Sequence, residues 1–382
     1  MSVVDVIGLL EELVLIDSQN PTLQPHSNGE GELARHVVAT LAQHGIDASL
    51  QDALLARPNV IARVDGTPGA PTLLFEAHLD TVPCSQGDIG FRREGGRLHG
   101  RGSCDTKASL AAMMAALVEL AELDGPRATV ILAGVVDEEA TMQGAAALID
   151  SLPKVMGAII GEPTSLLPIR AHNGFIRVKL HAHGRASHSS KAHLGQNAVV
   201  DASRATVALT DLLGESLRAR GHALIGPALL TPTMVSGGIA PNVVPDACDV
   251  TLDRRLAPGE RVQDALDEIR ATVESVHTEG RLELGEPSVG LPGIETPADH
   301  PLVKMLAQAI TEVLGDEHEA GGVPYSTDAC RLGGVGGLDC VVFGLGSIDQ
   351  AHTADEWVDL HEAERAVQIL VRLAQLCAQV TP

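Results

Sequence analysis

The sequence predicts an α/β protein with a mostly parallel sheet, interrupted by an inserted α+β domain. Three observations carry this. Helical and strand-like stretches alternate through the first part of the chain. The run ATVILAGVV at 128–136 is nearly all apolar, as a strand covered on both faces must be. At about Gly174 the character shifts to IRVKLHAH, 176–183, whose alternation marks a half-exposed strand.

Apolar residues at helical spacing predict helices over 6–16 and 30–44, the second ending at Gly45. Strands follow at 59–64 and 72–78, then a long Ala-, Leu- and Met-rich helix over 106–123. Beyond the buried strand come a helix at 144–152 and another buried strand at 156–160. This order builds an α/β domain. After residue 174 the pattern is strand 176–183, helix 197–217, strands 233–236 and 248–256, helix 262–276 and strand 281–284. That is the split βαβ, ferredoxin-like arrangement with one open sheet face. A Pro- and Gly-bearing connection, GEPSVGLPGIETPADHP, leads back to helix 302–314, strand 340–344 and a terminal helix over 362–380. The expected domains are therefore 1–173 with 287–382, and an insertion over 174–286.

Composition narrows the function. A length of 382 residues with 45% hydrophobic content suits two or three domains with sizeable cores. The formal charge of −23 argues against nucleic acid and anionic membrane as partners, since both require concentrated positive charge. No stretch reaches the apolar length of a membrane span. The opening MSVVDVIGLLEELVLID carries acids and no basic region, so it is expected to be an amphipathic helix and not a secretion signal. Six scattered cysteines without a CxxC pair suit reduced thiols and a cytoplasmic setting.

Metal-capable side chains collect at strand ends. FEAHLDTVP, 75–83, places His78 and Asp80 two apart on an extended segment, facing the same way. If His78 gives one nitrogen to a metal, Asp80 can accept the proton on the other. GRGSCDTKAS places Asp105 before the Ala-rich helix, and VVDEEATMQG places Asp137, Glu138 and Glu139 after the most buried strand. IIGEPTS supplies Glu162 and FGLGSIDQAHTADEW supplies His352. Each has a local alternative: Asp105 as a helix cap, Glu138 and Glu139 as a solvated pair, Glu162 as a turn residue, His352 as one of sixteen histidines. Sites in open α/β sheets form beyond the carboxyl ends of strands, so convergence of all five positions is expected.

The ordered set HLDTVP, GRGSCDTK, DEEATMQGA, GEPTS, ASHSS, GGIAPNVVPD, DRR and GSIDQAHTADE resembles the di-zinc aminoacylase and carboxypeptidase family. That family includes acetylornithine deacetylase, succinyl-diaminopimelate desuccinylase and glutamate carboxypeptidase. The resemblance implies a zinc-peptidase-like catalytic domain and an inserted lid and dimerisation domain. It implies two zinc ions per chain, with cobalt or manganese as substitutes: one on His78 and Glu162, the other on Glu139 and His352, and Asp105 bridging. Two imidazoles and three carboxylates suit zinc. Glu138 is then the general base and Asp80 the residue that orients His78.

In the insertion, His188 resembles the histidine that donates to the oxyanion, usually across a homodimer. Asn242 and Arg255 resemble substrate-binding residues, and an arginine suits a substrate carboxylate; Arg254 stands next door. Gly237 and Gly238 permit close backbone approach before them. The sequence departs from the family after Asp105, where Thr106, Lys107 and Ala108 replace a Met-Lys-Gly run. Cys84 and Cys104 flank two motifs, and packing is their expected role.

The resemblance implies a metal-dependent amidohydrolase that removes an N-acyl group from an amino acid. GEPTSLLPIRAH and GSIDQAHTADE most resemble the acetylornithine deacetylase branch. A desuccinylase, or a dipeptidase or carboxypeptidase with the same site, is the enzymatic alternative. A non-catalytic metal-containing binding protein is the alternative of another class, and the presence of Glu138, His188 and every expected ligand disfavours it.

Overall fold

The computed structural model describes residues 4–84 and 90–379. The chain forms two compact units: Met1–Arg170 with Glu295–Gly321 and Thr327–Pro382, and Ala171–Ile294 with Gly322–Ser326.

In the first unit four strands pair in parallel, in the order Thr129–Val135, Thr72–His78, Gly157–Ile160, Cys340–Val342. Phe75 stands beside Leu132 on one side and Ile159 on the other. Thr129–Val135 is buried along its whole length, which explains its unbroken apolar run. Arg57–Val64 and then Asp47–Leu54 extend the sheet antiparallel, so the parallel character holds for the centre and not the edge. Asp47–Leu54 gave no strand signal because neither of its faces is buried.

Helix Lys107–Glu122 is buried nearly all round, hence its Ala, Met and Leu content and lack of a polar stripe. Leu360–Cys377 is amphipathic, sending Ala363, Ala366, Val367 and Leu370 into the core. Asp359 caps it by accepting the His361 N–H at 2.9 Å. The sequence carried this helix to Val380, which lies outside the described residues. Because the four central strands run the same way, their carboxyl ends share one edge of the sheet. Asp105 reaches that edge from the loop before Lys107–Glu122.

The second unit has a sheet in the order Leu229–Gly237, Ala247–Leu256, Gly174–His183, Arg281–Leu284, with these neighbours antiparallel. In chain order this is 2-3-1-4, the split βαβ arrangement. Ile176, Val178, Leu180 and Ala182 pack with Val250, Leu252, Ala202, Ala205 and Ile269 in its core. The helix expected over 197–217 starts at Ala198 with Asn197 as its cap and passes through a π-helical turn at Leu209–Leu213. No helix among the described residues is long and apolar enough to cross a membrane.

Candidate metal centre

His78 ends a strand buried from Leu73 onward, and its imidazole is held on both sides. Nδ1–H donates to the backbone oxygen of Asp80 at 2.9 Å, and Nε2 meets Asp105 Oδ1 at 2.9 Å. The sequence suggested the Asp80 carboxylate as the Nδ1 partner. That carboxylate stands 3.6 Å away, too far for a good hydrogen bond, and the carbonyl takes its place. The carboxylate accepts instead from Asn20 Nδ2 at 2.7 Å and from the backbone N–H of Glu138 and of Glu139, each at 3.1 Å.

Asp105 stands between the two histidines: Oδ1 faces His78, and Oδ2 faces His352 Nε2 at 3.2 Å. Glu139 Oε1 approaches the same His352 nitrogen at 3.1 Å. Glu162 Oε1 lies 3.9 Å from His78 Nε2. Ligand atoms of His78, Asp105 and Glu139 all fall within 4.8 Å of one another, as do those of His78, Glu138 and Glu162. The five expected ligands are therefore brought together, and Glu138 comes within ligand reach as well.

The turn after Thr129–Val135 is held by residues the sequence did not single out. Asp137 adopts φ +72, which starts the turn that presents Glu138 and Glu139. Its N–H donates to Glu30 Oε1 at 3.1 Å, and its carboxylate receives Arg57 Nη2 at 3.0 Å and Asn20 Nδ2 at 3.1 Å. Arg57 also binds Glu30 through two bonds of 2.6 Å. Asn20, Glu30 and Arg57 carry no metal-ligand pattern, so only the fold reveals them. Glu356 is a further omission; its buried carboxylate accepts backbone N–H groups from the loop that carries Asp105.

The electrostatics fit a cationic occupant. Burial drives Glu138 and Glu162 well above the usual carboxylate range; His78 partly offsets this, while Asp328 beside Glu138 and Asp105 beside Glu162 add to it. Burial raises Glu139 too, with Asp105 adding to the rise. Burial opposes charge on His78, yet the bonded Asp105 carboxylate and the nearby carboxylates of Asp80 and Glu162 outweigh it and hold the imidazole well above its ordinary value. Bonds to Asp105 and Glu139 raise His352 to about 10. So much carboxylate gathered around two imidazoles, largely out of water, is a donor set for divalent cations.

Beneath His78, Glu76 and Asp328 are two buried carboxyls with no donor group on their oxygens. They face each other, and only a shared proton makes that contact favourable. Cys104 is buried, with its thiol pushed far up by burial. It packs beside Gly346, where a side chain would meet its sulfur, and its Sγ reaches Ser347 O at 3.5 Å.

Within the second unit, His188 is exposed on the short strand Ser187–His188, with Val243 opposite it. Its Nδ1 accepts the Ser190 N–H at 3.2 Å, which leaves Nε2 to carry the proton of a neutral ring. Asn242 is brought alongside, its carbonyl accepting the Ser189 N–H at 2.9 Å. Arg254 is fully buried and donates to Glu260 at 2.8 Å. Arg255 points the other way along the strand; its guanidinium lies 2.9 Å from Asp253 and 3.3 Å from Ser326 Oγ. Gly238 takes φ +81, the left-handed region that favours glycine.

A parallel α/β sheet whose strand ends gather two histidines and at least three carboxylates defines a metallohydrolase-type protein. Residues 74–376 match Peptidase family M20/M25/M40, and the chain belongs to this family. Among curated relatives, it is 30% identical to an acetylornithine deacetylase of Vibrio cholerae over 386 residues, covering 97% of each chain. It is 32% identical to one from Myxococcus xanthus, with 86% of each covered. Among solved structures it is similar to the dipeptidase Dug1p of Saccharomyces cerevisiae, with TM-score 0.82, 14% identity and coverage of 99% and 96%. It is also similar to Bacillus subtilis YXEP, a dinuclear metal binding peptidase of the M20 family, with TM-score 0.70, 16% identity and coverage of 97% and 96%. The structural likenesses establish the fold. The family and the curated relatives make the protein a hydrolase of amide or peptide bonds.

Proposed function

We propose that the protein is a two-metal amidohydrolase that removes the N-acyl group from an amino acid, in the manner named for its acetylornithine deacetylase relatives. The observation that carries this is Asp105, whose two oxygens face His78 and His352, with Glu138 and Glu139 on the adjoining turn. His78 and Glu162 would hold one cation, Glu139 and His352 the other, and Asp105 would serve both; zinc suits this donor set, with cobalt or manganese as substitutes. Bound there, the two cations supply the positive charge that acidifies water and polarises an amide carbonyl. Glu138 takes the proton from the attacking water and hands it to the departing amine. Asp80 keeps Glu138 aligned through its backbone N–H. His188 donates to the oxyanion, and Asn242 and Arg255 bind the substrate.

The family resemblance also supports a cytoplasmic homodimer formed through the inserted unit. In its favour, Leu229–Gly237 is an edge strand that exposes Met234 and Val235. A panel of acetyl-, succinyl- and dipeptide substrates, assayed with and without added zinc or cobalt, tests the activity. Turnover of N-acetylornithine above the succinyl and dipeptide substrates supports the proposal. A preference for succinyl-diaminopimelate or dipeptides moves the protein to a neighbouring activity on the same site, and silence on every amide contradicts amidohydrolysis.

A further inference from the structure

Two loops bring Asp105 and His352 to the centre, and they are fastened to each other along their length. Trp357–Asp359 pairs with Arg97–His99, with Trp357 opposite His99. The Gly100 N–H donates to the backbone oxygen of Glu356 at 3.0 Å, and Arg101 Nη2 donates to Thr353 O at 3.0 Å. Glu356 itself makes the densest contact. Its side chain is almost wholly out of water. Oε1 accepts the N–H of Cys104 at 2.9 Å and of Asp105 at 3.0 Å; Oε2 accepts the N–H of Gly102 at 3.0 Å and Arg101 Nη1 at 2.6 Å.

A buried carboxylate is costly unless every oxygen is satisfied. Here three backbone amides and one guanidinium satisfy it, and the result is a fixed backbone position for Asp105. Glu356 lies four residues after His352, so one side chain sets the spacing between the bridging carboxylate and its histidine partner. His78 and Glu162 come from other strands, whereas His352 shares the loop of Glu356, so of the two positions that share Asp105 the one with His352 loses more when Glu356 is changed.

We propose that Glu356 is a positioning residue for the metal pair. It holds Asp105 against His352 and thereby determines occupancy of the position made by Glu139 and His352. The proposal rests on the two-metal reading above. Glutamine cannot replace the residue, because its amide nitrogen would face N–H donors on one side of the clamp. Aspartate is one methylene too short to span both pairs of donors.

The test is metal content by mass spectrometry on the full-length protein after zinc loading and dialysis, for wild type, Glu356→Gln and Glu356→Asp. The expected result is two zinc ions per wild-type chain and one per variant chain. The variants' affinity for the second ion should fall ~10–100-fold, the loss usual when a residue supporting a ligand is removed. Two ions held with unchanged affinity in the variants overturns the proposal and leaves the two-metal reading intact. One ion or none in the wild type overturns that reading and the proposal with it. Should the variants fail to fold, amide hydrogen exchange of wild type decides. Protection at Gly102, Cys104 and Asp105 before metal is added supports a preset clamp; free exchange there until metal binds refutes it.

Discussion

The backbone N–H of Glu138 donates to the carboxylate of Asp80 at 3.1 Å. The segment that holds His78 through the Asp80 carbonyl is thus the same one that aims the proposed base. Alanine at position 80 keeps the carbonyl on His78 but removes the carboxylate that accepts the N–H groups of Glu138 and Glu139, so it should disturb the base and the ligand beside it together. The expected outcome is a fall in kcat/KM of ~10–100-fold with weaker metal retention. Steady-state kinetics beside metal content checks this, and unchanged values for both would show that Asp80 aligns neither.

Glu138 and Glu139 are neighbours with different expected roles. Glu138→Ala should lower kcat by ~10²–10⁴-fold, the range for loss of a general base, while two metals stay bound. Glu139→Ala should lose one metal as well as activity. Because Glu138 lies within ligand reach of His78 and Glu162, metal content is the deciding measurement. Loss of metal from Glu138→Ala would make it a ligand and not the base.

Glu30 and Arg57 form an ion pair whose carboxylate is fully buried and whose guanidinium is nearly so. Removing one partner of such a pair leaves an uncompensated charge and typically costs ~3–5 kcal/mol. Arg57→Met should destabilise by about that amount in urea unfolding. It should also loosen the turn at Asp137, which both residues hold. A loss under ~1 kcal/mol would mean that water enters to solvate Glu30.

Burial lifts Glu76 from 4.5 to about 8, with His78 opposing the rise and Glu138 adding to it. Between these values the folded protein keeps a proton that the unfolded chain gives up. The stability that Glu76 contributes to the metal-free protein is therefore fully present below the lower value and is lost as pH rises towards 8. The expected fall between pH 5 and pH 8 is on the order of 2–4 kcal/mol. Glu76→Gln, which keeps a donor for Asp328 without the charge, should flatten the slope. Urea unfolding at several pH values is the measurement, and an equal slope in both proteins would assign it to other carboxyls.

What the sequence disclosed follows from where information sits. Thr129–Val135 was legible because burial on both faces demands an unbroken apolar run. Asp47–Leu54 was not, because an edge strand with no fully buried face carries only a weak period. His78, Asp105, Glu139, Glu162 and His352 were legible as metal-capable side chains after apolar strands or in a glycine-bearing loop. Glu356, Asn20, Glu30 and Arg57 act on backbone amides or on other carboxylates far away in the chain. Their residue types announce charge or hydrogen-bonding capacity but not its partner. Glu356 did leave a trace, as an acid four residues past the candidate ligand His352 in AHTADEW. The choice between the Asp80 carboxylate and its carbonyl depends on a rotation that no pattern of residues records.

Everything proposed for this site turns on Asp105 bridging two cations. Anomalous diffraction from crystals of the zinc-loaded protein tests it most directly. A bridging Asp105 requires two zinc peaks ~3.5–4 Å apart, one against each of its oxygens, the first also on His78 and Glu162 and the second on Glu139 and His352. A single peak, or two that do not share Asp105, would contradict it.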